Sequence, residues 1–371
     1  MCGIFAVLSS NIKGDGDFEK QNFHKGKNRG PENSVFKKIN DKTLFGFHRL
    51  AINGYANPES EQPIELEDCV LICNGEIYNW NYLHRTLNIP TKTGSDCESI
   101  IHLYKKFGIA YTLNMLDGVF AFLLFDKIKN KIYVARDPYG VRPLFCSYNK
   151  ANEEHFYYVF SSELKMMTHM ITDHVYSGKQ FTPGSYMEIN MNNGEQLSKQ
   201  YFLSVCSEIP GYHLTEYYHE CIRNSLIAAV NKRVKNTDRE VACLLSGGLD
   251  SSLITALVAE ALPDPSILKT WSIGMIGSED LRYAEMVAKH IGTDHHSIIL
   301  SKQEFLDAIP EVIYTIESYD TTTVRASVGN WLISKYIREN SRAKVVFNGD
   351  GSDEVTGGYM YFHLAKNALE F

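Results

Sequence analysis

One stretch constrains the fold of this chain more than any other, the segment from Glu240 to Ala261, which reads EVACLLSGGLDSSLITALVAEA. Its apolar run from Val241 to Leu245 is typical of a buried parallel strand, and the apolar residues after Ser252 recur at helical spacing. A glycine loop between a strand and a helix turns backbone N–H groups and a helix N-terminus toward an anion. Paired glycines also let the backbone approach a phosphate closely, and serine hydroxyls add hydrogen-bond donors. The stretch therefore predicts a phosphate-binding loop.

The loop from Ser246 to Ser252 matches neither of two common phosphate-binding sequences. It lacks the lysine of a GxxxxGK[ST] P-loop, and it lacks the GxGxxG fingerprint of dinucleotide-binding proteins. Asp250 places a carboxylate in a loop whose other groups are suited to bind an anion. This is chemically sensible when a divalent cation bridges the carboxylate to phosphate. An ordinary strand-to-helix turn with serine caps is the plainer alternative. The complete sequence SGGLDSS favours the first interpretation, because it resembles the pyrophosphate loop of enzymes that split ATP between its α and β phosphates.

Length and composition exclude several classes of protein. The chain of 371 residues has room for two or three domains, and its 44% hydrophobic and 12% aromatic content is typical of globular proteins. A net charge of −7 argues against a nucleic-acid partner, and no apolar run is long enough to span a bilayer. The eight cysteines form no CxxC pair and the N-terminus lacks a secretory pattern, so we expect reduced thiols in the cytoplasm.

The first four residues, MCGI, make Cys2 a candidate nucleophile. Initiator methionine is commonly removed when the next residue is small, and Cys2 would then carry both a thiol and a free α-amine. Such an amine has a pKa of about 8 and a free thiol has a pKa of about 8.5. The amine can therefore act as the base that activates the thiol of the same residue. A cysteine at the second position is weak evidence by itself, and the motifs that follow decide the matter.

Five motifs, taken in order, carry a family resemblance: MCGI at 1–4, RGP at 29–31, FHRLAI at 47–52, NGEIYN at 74–79 and TGSD at 93–96. Together they resemble the class II glutamine amidotransferase domain, an α+β N-terminal-nucleophile hydrolase in which two stacked sheets lie between helices, an αββα sandwich. The resemblance implies that Cys2 attacks the side-chain amide of glutamine, while Asn74 and the Gly75 N–H form the oxyanion hole. It also implies a glutamine site made of Arg49, Leu50, Ala51, Ile52, Asn53, Asn74, Gly75, Glu76 and Asp96.

The chemistry of glutamine agrees with this assignment. An amino acid carries one carboxylate and one ammonium, so its site needs a fixed cation and a fixed anion, the roles implied for Arg49 and Asp96. A hairpin turn is the alternative for Asn74-Gly75 taken alone. Two departures from the family flank the RGP motif, where Asn28 and Glu32 replace the usual His and Asp. We expect them to alter the rate more than the type of reaction.

Two local structures in the first half can also be predicted. Ser95 precedes an amphipathic segment and is a candidate N-cap for a helix. Arg136 and Asp137 lie within ARDPYGVRPL at 135–144, which resembles a segment that packs the base of the amidotransferase sheet. We interpret these two residues as a structural ion pair.

Strands and helices alternate in the second half of the chain, which predicts a parallel α/β sheet with ligands at the carboxyl ends of its strands. Its polar motifs include GSEDL at 277–281, TTTVR at 321–325 and NGDGSDE at 348–354. With SGGLDSS, they resemble the ATP-pyrophosphatase-type synthetase domain of glutamine-dependent asparagine synthetases. A capped helix start is the plainer interpretation of TTTVR. We predict three parts in order: an amidotransferase domain at 1–200, a linker at 201–213 and a synthetase domain at 214–371.

The resemblance to the synthetase domain implies a nucleotide site and a reaction. The implied ATP contacts are Leu244, Ser246, Gly247, Gly248, Asp250, Ser251, Ile273, Asn348 and Gly349. Mg²⁺ would bind near Asp250 and Asp353, and pyrophosphate or aspartate would contact Thr322, Thr323 and Arg325. Asp350 would be catalytic in forming an aspartyl-adenylate, which ammonia from glutamine then converts to asparagine and AMP.

Three functions stay open, because the second half departs from the family. Asp350 stands where the family usually has Glu, and Asn348 where it usually has Ser. The family also continues well past the equivalent of Phe371, so we expect this chain to be short at its C-terminus. The first function is glutamine-dependent asparagine synthesis, the second is a glutaminase-type hydrolase with a nucleotide domain that does not adenylate, and the third is a non-catalytic nucleotide- or partner-binding module. A β-lactam-forming synthetase generally lacks the N-terminal cysteine, so Cys2 counts against it. We expect small-molecule substrates, and a homodimer is left open.

Overall fold

The computed structural model describes residues 1–12, 14, 16–150, 155–170, 178–203 and 215–367. The chain divides into two compact units, Met1–Pro210 and Gly211–Phe371. Most of the linker predicted at 201–213 falls outside the described residues, and so does the first residue of the domain predicted at 214–371. The domain boundaries therefore stay a prediction. Within the described ranges, none of the helices combines the length and the apolar character needed to cross a lipid bilayer.

The first unit is built on two antiparallel six-stranded sheets. Its strands in the described ranges are β1 (Gly3–Ser9), β2 (Asn33–Asn40), β3 (Thr43–Arg49), β4 (Ile64–Leu66), β5 (Cys69–Ile77), β6 (Gly118–Asp126), β7 (Lys131–Arg136), β8 (Phe145–Lys150), β9 (Phe156–Ser161), β10 (Lys179–Gln180), β11 (Ser185–Asn190) and β12 (Gln196–Gln200). One sheet has the order β10-β8-β9-β1-β3-β2, and the other has the order β12-β11-β7-β6-β5-β4. The α-helices of this unit are α1 (Asp17–His24), α2 (Trp80–Leu87), α3 (Glu98–Phe107) and α4 (Ile109–Met115).

Strand β1 illustrates how the sequence produces this sandwich. All seven of its residues are buried, and it lies between β9 and β3. Successive side chains of a strand point to opposite faces, so Ile4, Ala6 and Leu8 pack in the core between the two sheets. Phe5 and Val7 pack on the other face, in a cluster that includes a residue of α1. Helices α3 and α4 pack against the outer face of the second sheet, and the predicted αββα sandwich is confirmed.

The second unit is built on a parallel sheet of four strands in the order β15-β14-β13-β16. These strands are β13 (Val241–Leu244), β14 (Lys269–Gly274), β15 (Asp294–Ile299) and β16 (Val345–Phe347). The α-helices are α5 (Thr215–Lys235), α6 (Leu249–Ala261), α7 (Glu279–Ile291), α8 (Lys302–Asp307), α9 (Ile309–Ile316), α10 (Thr321–Asn340) and α11 (Ser352–Thr356). Trp271 and Leu332 belong to the core on one face of the sheet, and Cys243 and Val258 belong to a second core. The predicted parallel α/β sheet is confirmed.

The strand directions decide where this unit can bind a ligand. Because its strands are parallel, their carboxyl ends share one edge of the sheet. The polar segments 246–252 and 348–354 follow β13 and β16, which are hydrogen-bonded neighbours. The fold therefore brings these two segments to adjacent positions at that edge.

Candidate active sites

A pocket in the first unit brings together the residues predicted to bind glutamine. They are Cys2, Arg49, Leu50, Ala51, Ile52, Asn53, Asn74, Gly75, Glu76 and Asp96, and Met1, Ser60, Gln62 and Arg142 also line the pocket. Cys2 precedes β1, Arg49 ends β3, and Asn74 to Glu76 lie within β5. The pocket is thus built from residues of both sheets.

The thiol of Cys2, just before the start of β1, is held by backbone contacts. The Leu50 N–H donates to Sγ and the thiol donates to the Leu50 carbonyl oxygen, each at 3.4 Å. The Arg29 Nε donates to the Cys2 carbonyl oxygen at 2.9 Å, and Arg29 forms an ion pair with Glu163 at 3.5 Å. Burial raises the pKa of the Cys2 thiol, so the thiol stays protonated at neutral pH until a base removes its proton.

A neutral amine lies beside this thiol. Burial lowers the pKa of the Met1 α-amine to about 5, because the charged ammonium is poorly solvated there. An amine at this position is therefore unprotonated at neutral pH and can accept a proton. Met1 itself lines the glutamine pocket, and its peptide bond converts the nitrogen of Cys2 to an amide.

Asn74 and Gly75 have the properties of an oxyanion site. Asn74 is 1% exposed, and its Nδ2 has no hydrogen-bond partner among the described residues. A buried donor without a partner is costly, unless it is reserved for charge that develops during a reaction. Gly75 is required by space, since a Cβ there would lie 2.6 Å from the Val119 carbonyl oxygen. Both residues lie within β5, so the alternative of a hairpin turn is wrong.

The pocket also contains the fixed cation and the fixed anion that a zwitterion needs. Arg49 donates to the Gly54 carbonyl oxygen at 3.0 Å and lies 3.6 Å from the carboxylate of Glu61. Asp96 is 4% exposed and accepts a hydrogen bond from the Ile77 N–H at 2.7 Å. Burial raises the pKa of Asp96 to about 6, although the hydrogen bond from Ile77 opposes this rise. Asp96 is thus an anion at neutral pH with little solvation of its own, which favours an ammonium partner.

Glu98 holds the turn that carries Asp96. Its carboxylate is fully buried and accepts hydrogen bonds from the Lys92 N–H, the Thr93 N–H and the Thr93 hydroxyl, at 2.8, 2.6 and 2.7 Å. Burial alone raises the pKa of Glu98, but hydrogen bonds from His102, Thr93 and Lys92 lower it to about 2. The turn is therefore anchored by a carboxylate that stays ionised at every physiological pH.

We expect the substitution Asp96→Asn to stabilise the fold while it weakens glutamine binding. The pKa of Asp96 lies near 6 in the folded chain against 3.8 for an exposed Asp, so the folded state binds this proton more tightly than the unfolded state. Stability therefore falls as pH rises through this window, by up to about 3 kcal/mol. Asn keeps the acceptor for the Ile77 N–H without the charge, so Tm at pH 7.5 should rise and the KM for glutamine should rise about tenfold or more.

The pH dependence of the two proteins provides the control. Wild-type KM for glutamine should rise as pH falls below about 6, where Asp96 takes up its proton, whereas KM of Asp96→Asn should be flat in that range. Unchanged KM in the variant, together with lower Tm, would contradict the role of Asp96 as the ammonium partner.

The predicted phosphate loop lies between β13 and α6. Its Ser251 hydroxyl accepts a hydrogen bond from the Ser246 N–H at 3.2 Å and lies 3.0 Å from the Ser246 hydroxyl. Gly247 has φ of +83°, and a Cβ there would lie 2.5 Å from the Ala284 nitrogen in α7. Only glycine combines this left-handed backbone with that close approach. The strand, glycine loop and helix thus follow one another as the sequence predicts.

The segment after β16 packs directly on this loop. Gly349 lies against it so closely that a Cβ would be 2.8 Å from the Ser251 nitrogen. The Ser352 hydroxyl donates to Asp250 Oδ1 at 3.0 Å. Between these contacts, Asn348 Nδ2 donates to Asp350 Oδ2 at 2.6 Å. The two segments predicted to bind ATP therefore form one continuous polar surface.

Comparison with known proteins supports the domain family predicted for each half of the chain. Residues 1–196 match the glutamine amidotransferase domain family, and residues 221–371 match the asparagine synthase family. Human asparagine synthetase [glutamine-hydrolyzing] is 40% identical in an alignment that covers 99% of this chain and 68% of the human protein. The chain belongs to the glutamine-hydrolysing asparagine synthetase family. The rat enzyme of the same name is 40% identical in an alignment that covers 99% of this chain and 68% of that protein. Among solved structures, glutamine phosphoribosylpyrophosphate amidotransferase from B. subtilis aligns with a TM-score of 0.46 and 16% identity, over 99% of this chain and 94% of that chain.

Two further nucleotide contacts predicted for this asparagine synthetase family member lie at strand ends. Leu244 is the last residue of β13, and Ile273 lies one residue before the end of the adjacent strand β14. Ile273 also lines a pocket with Asp280, Lys302 and others at the carboxyl end of β14. Both residues are thus placed at the carboxyl edge of the sheet, and their contact with ATP stays a prediction.

The three residues predicted to contact pyrophosphate or aspartate lie in the first turns of α10. Asp320 is the N-cap of that helix and accepts a hydrogen bond from the Thr323 N–H at 2.8 Å. The plainer interpretation of this run, a capped helix start, is therefore confirmed as local structure. In the described part of the chain, no hydrogen bond or ion pair joins Thr322, Thr323 or Arg325 to the phosphate loop. Their predicted role in the synthetase reaction stays a prediction.

The predicted Mg²⁺ site at Asp250 and Asp353 consists of two carboxylates. No group of three or more His, Cys, Asp or Glu side chains suited to a metal occurs among the residues that the structure describes. Mg²⁺ is usually held by one or two carboxylates together with substrate phosphates. Asp250, at the start of α6 in the predicted phosphate loop, fits that pattern, and the metal stays a prediction.

Three contacts of the glutamine pocket were not predicted. Arg142 forms an ion pair with Glu76 at 2.6 Å inside the pocket, although sequence alone suggested only packing for its motif. Glu32, one of the two departures beside RGP, accepts a hydrogen bond from the Ala51 N–H at 2.7 Å and so holds the segment predicted to bind glutamine. Gln62 binds the backbone of Cys73. Each contact joins residues distant in sequence, so no local pattern signals it.

Two predictions of local structure need correction. Helix α3 begins at Glu98, after Ser95, and the Ser95 hydroxyl accepts from the Cys97 N–H at 3.3 Å in the preceding turn. Arg136 and Asp137 do not pair directly among the described residues. The Arg136 guanidinium donates to three carbonyl oxygens, and Asp137 accepts four hydrogen bonds from backbone N–H groups. Buried charges at a turn can be satisfied by the backbone of that turn, which removes the need for an ion pair.

Proposed function

We propose that this chain converts aspartate to asparagine, with ammonia from glutamine and with cleavage of ATP to AMP and pyrophosphate. The observation that carries the proposal is the pocket in which Cys2, the unpartnered Asn74 amide, Arg49 and Asp96 come together. The ATP-dependent amidation of aspartate is supported by the family of the chain and by the polar surface that segments 246–252 and 348–354 form. The substrates are small molecules and the reaction takes place in the cytoplasm; a homodimer stays a prediction.

Glutamine hydrolysis begins once Met1 has been removed. The α-amine of Cys2 takes the thiol proton, and Sγ attacks the side-chain amide carbon of a glutamine held by Arg49 and Asp96. Asn74 Nδ2 and the Gly75 N–H stabilise the oxyanion. The amine then returns the proton to the departing ammonia, and water releases glutamate from the thioester. The raised pKa of the buried thiol makes this internal base necessary.

Aspartate activation takes place on the surface formed by the 246–252 loop and the 348–353 segment. The β-carboxylate oxygen of aspartate attacks the α-phosphorus of ATP, the bond to the β,γ-pyrophosphate breaks, and an aspartyl-adenylate forms. Asp250 and Asp353 would hold Mg²⁺, which would neutralise part of the charge of the pyrophosphate. Thr322, Thr323 and Arg325 contact pyrophosphate or aspartate, and Asp350 is the catalytic carboxylate. Ammonia then attacks the acyl carbon and AMP leaves.

Oxygen-18 transfer tests this proposal. With aspartate labelled in its β-carboxylate, one labelled oxygen should appear in the phosphate of AMP, because attack leaves that oxygen on phosphorus. Mass spectrometry of AMP measures the label. ADP as the product, or AMP without label, would exclude the adenylate.

A glutaminase-type activity without adenylation is the second candidate. In favour of it, the residues predicted to bind glutamine line one pocket. By contrast, no hydrogen bond or ion pair among the described residues joins Thr322, Thr323 or Arg325 to the predicted phosphate loop. Glutamate release that needs neither ATP nor aspartate, without formation of AMP, would support it.

The two departures from the family in the 348–354 segment are expected to compensate each other. Asn348 holds the carboxylate of Asp350 through a hydrogen bond of 2.6 Å, and a hydrogen bond to a charged group contributes about 1.5–3 kcal/mol, less when exposed. Asn348→Ser should therefore slow aspartate-dependent pyrophosphate release about threefold to tenfold, and Asp350→Glu should also slow it. The double variant has the usual family residues. Its rate of pyrophosphate release should be higher than the rate obtained by multiplying the effects of the two single substitutions. Additive effects would contradict the coupling.

A further inference from the structure

Gln62 is a buried side chain of the glutamine pocket to which the proposed reaction gives no role. It is 7% exposed and lines the pocket together with Asn74. Its Oε1 accepts a hydrogen bond from the Cys73 N–H at 2.5 Å, and its Nε2 donates to the Cys73 carbonyl oxygen at 3.0 Å. The side-chain amide thus binds both backbone groups of the residue immediately before Asn74.

The register of two strands explains why an amide is needed there. Ile64 of β4 lies opposite Leu71 of β5 in an antiparallel pair, and the same register extended by two residues would place the backbone of Gln62 opposite Cys73. Pro63 lies between and has no N–H to donate, and β4 begins only at Ile64. A side-chain amide has the same donor and acceptor as a peptide group. Gln62 therefore supplies the two hydrogen bonds that the backbone ladder no longer provides.

This contact fixes the strand beside the oxyanion site. On its other edge β5 pairs with β6, with Cys73 opposite Phe122 and Asn74 opposite Ala121. Strand β5 is thus held on both edges, and the contact with Gln62 lies one residue before Asn74, whose Nδ2 has no partner among the described residues. A fixed backbone with a free side-chain donor is the arrangement that oxyanion stabilisation requires, because the donor must be in place before the charge develops.

We propose that Gln62 is a positioning residue for glutamine hydrolysis, which holds β5 so that Asn74 and Gly75 face the developing oxyanion. The inference rests on the proposed reaction at Cys2. A small shift of β5 at Cys73 would move the adjacent oxyanion donors, Asn74 and Gly75. Arg49 ends β3, and Asp96 is bonded to Ile77, four residues along β5 from Cys73, so both can continue to hold the α-carboxylate and α-ammonium of the substrate. Gln62 therefore governs kcat and has little influence on KM.

The substitution Gln62→Met tests this role, because Met has a similar length and neither hydrogen bond. We expect kcat for glutamate release from glutamine to fall about 10-fold to 100-fold, with KM within about threefold of wild type. Alkylation of Cys2 by iodoacetamide should proceed at the wild-type rate, since that displacement forms no oxyanion. If Gln62→Met does not fold, Gln62→Glu replaces it; Glu keeps the acceptor for the Cys73 N–H, and a smaller loss of kcat is expected.

Tyr158→Phe is the matched control, because it also removes a buried hydrogen bond. Tyr158 is fully buried in the same unit, and its hydroxyl donates to the Gly194 carbonyl oxygen at 2.8 Å. We expect its kcat to stay within about twofold of wild type at a temperature where both variants are folded. The inference is overturned if kcat of Gln62→Met stays within twofold of wild type, if KM rises while kcat is unchanged, or if Cys2 alkylation slows in proportion to kcat.

Failure of the proposed function has a different signature. It would be seen in the unsubstituted chain, as absence of glutamate release and absence of protection of Cys2 by glutamine against iodoacetamide. Wild-type protein that releases glutamate, together with a Gln62→Met variant of unchanged kcat, would overturn the inference about Gln62 alone.

Discussion

Replacement of Cys2 by alanine should abolish glutamine-dependent asparagine formation and leave the ammonia-dependent reaction within about twofold of wild type. The thiol is the only group proposed to form a covalent bond with glutamine, and loss of a nucleophile typically lowers kcat by more than about 10³-fold. Free ammonia needs no activation at Cys2, so the synthetase half should continue. Glutamate and asparagine are quantified in parallel, with glutamine or with an ammonium salt as the nitrogen source.

The matched control is Cys146→Ala. Cys146 is 1% exposed in β8 of the same unit and does not line the glutamine pocket. It should retain glutamine-dependent activity, apart from a modest loss of stability. Glutamine-dependent synthesis by Cys2→Ala, or its loss in Cys146→Ala, would contradict the assignment of the nucleophile.

The second large effect is expected from Asp250→Asn, which should reduce aspartate-dependent pyrophosphate release by more than about 10²-fold. The substitution removes the carboxylate charge proposed to hold Mg²⁺ and leaves an amide oxygen that can still accept from the Ser352 hydroxyl. Glutamate release at Cys2 should persist, because its pocket is built from the first unit. A coupled pyrophosphate assay at several Mg²⁺ concentrations measures the effect, and the Mg²⁺ dependence should shift to higher concentration in the variant.

Asp264→Asn is the control for this prediction. Asp264 is an exposed Asp in the same unit that caps a short helix before β14, where its Oδ1 accepts from the Ser266 N–H at 2.9 Å. It lies on the amino-terminal side of that strand, away from the edge predicted to bind ATP, so pyrophosphate release should be unchanged. Equal losses in both variants would point to a general effect of lost charge and would contradict a specific role for Asp250.

Local patterns were sufficient for the parts of the molecule whose structure depends on neighbours in sequence. The continuous apolar residues of β1 and β13 predict buried strands, and the glycines and serines of 246–252 predict the loop between strand and helix. Gly247 shows why that prediction works, because its left-handed backbone and its approach to α7 admit no side chain. The members of the glutamine pocket came from the family resemblance, and the fold then brings Cys2, 49–53, 74–76 and Asp96 together.

Contacts between distant residues could not be predicted. Gln62 and Cys73 meet because the register of β4 and β5 is interrupted at Pro63, and Arg142 meets Glu76 across 66 positions of sequence. The elevated pKa of Asp96 has the same origin, since it depends on burial that appears only in the folded chain. Such properties depend on strand register and packing, which a linear pattern does not contain.

The proposed function requires that nitrogen pass from a thiol-bound glutamine to an aspartate activated by the same chain. The most direct test supplies glutamine labelled with nitrogen-15 in its side-chain amide, together with aspartate and ATP with Mg²⁺, and measures the mass of the asparagine formed. We predict asparagine heavier by one mass unit, with one AMP for each asparagine. Glutamate that accumulates without labelled asparagine or AMP would contradict the proposed function.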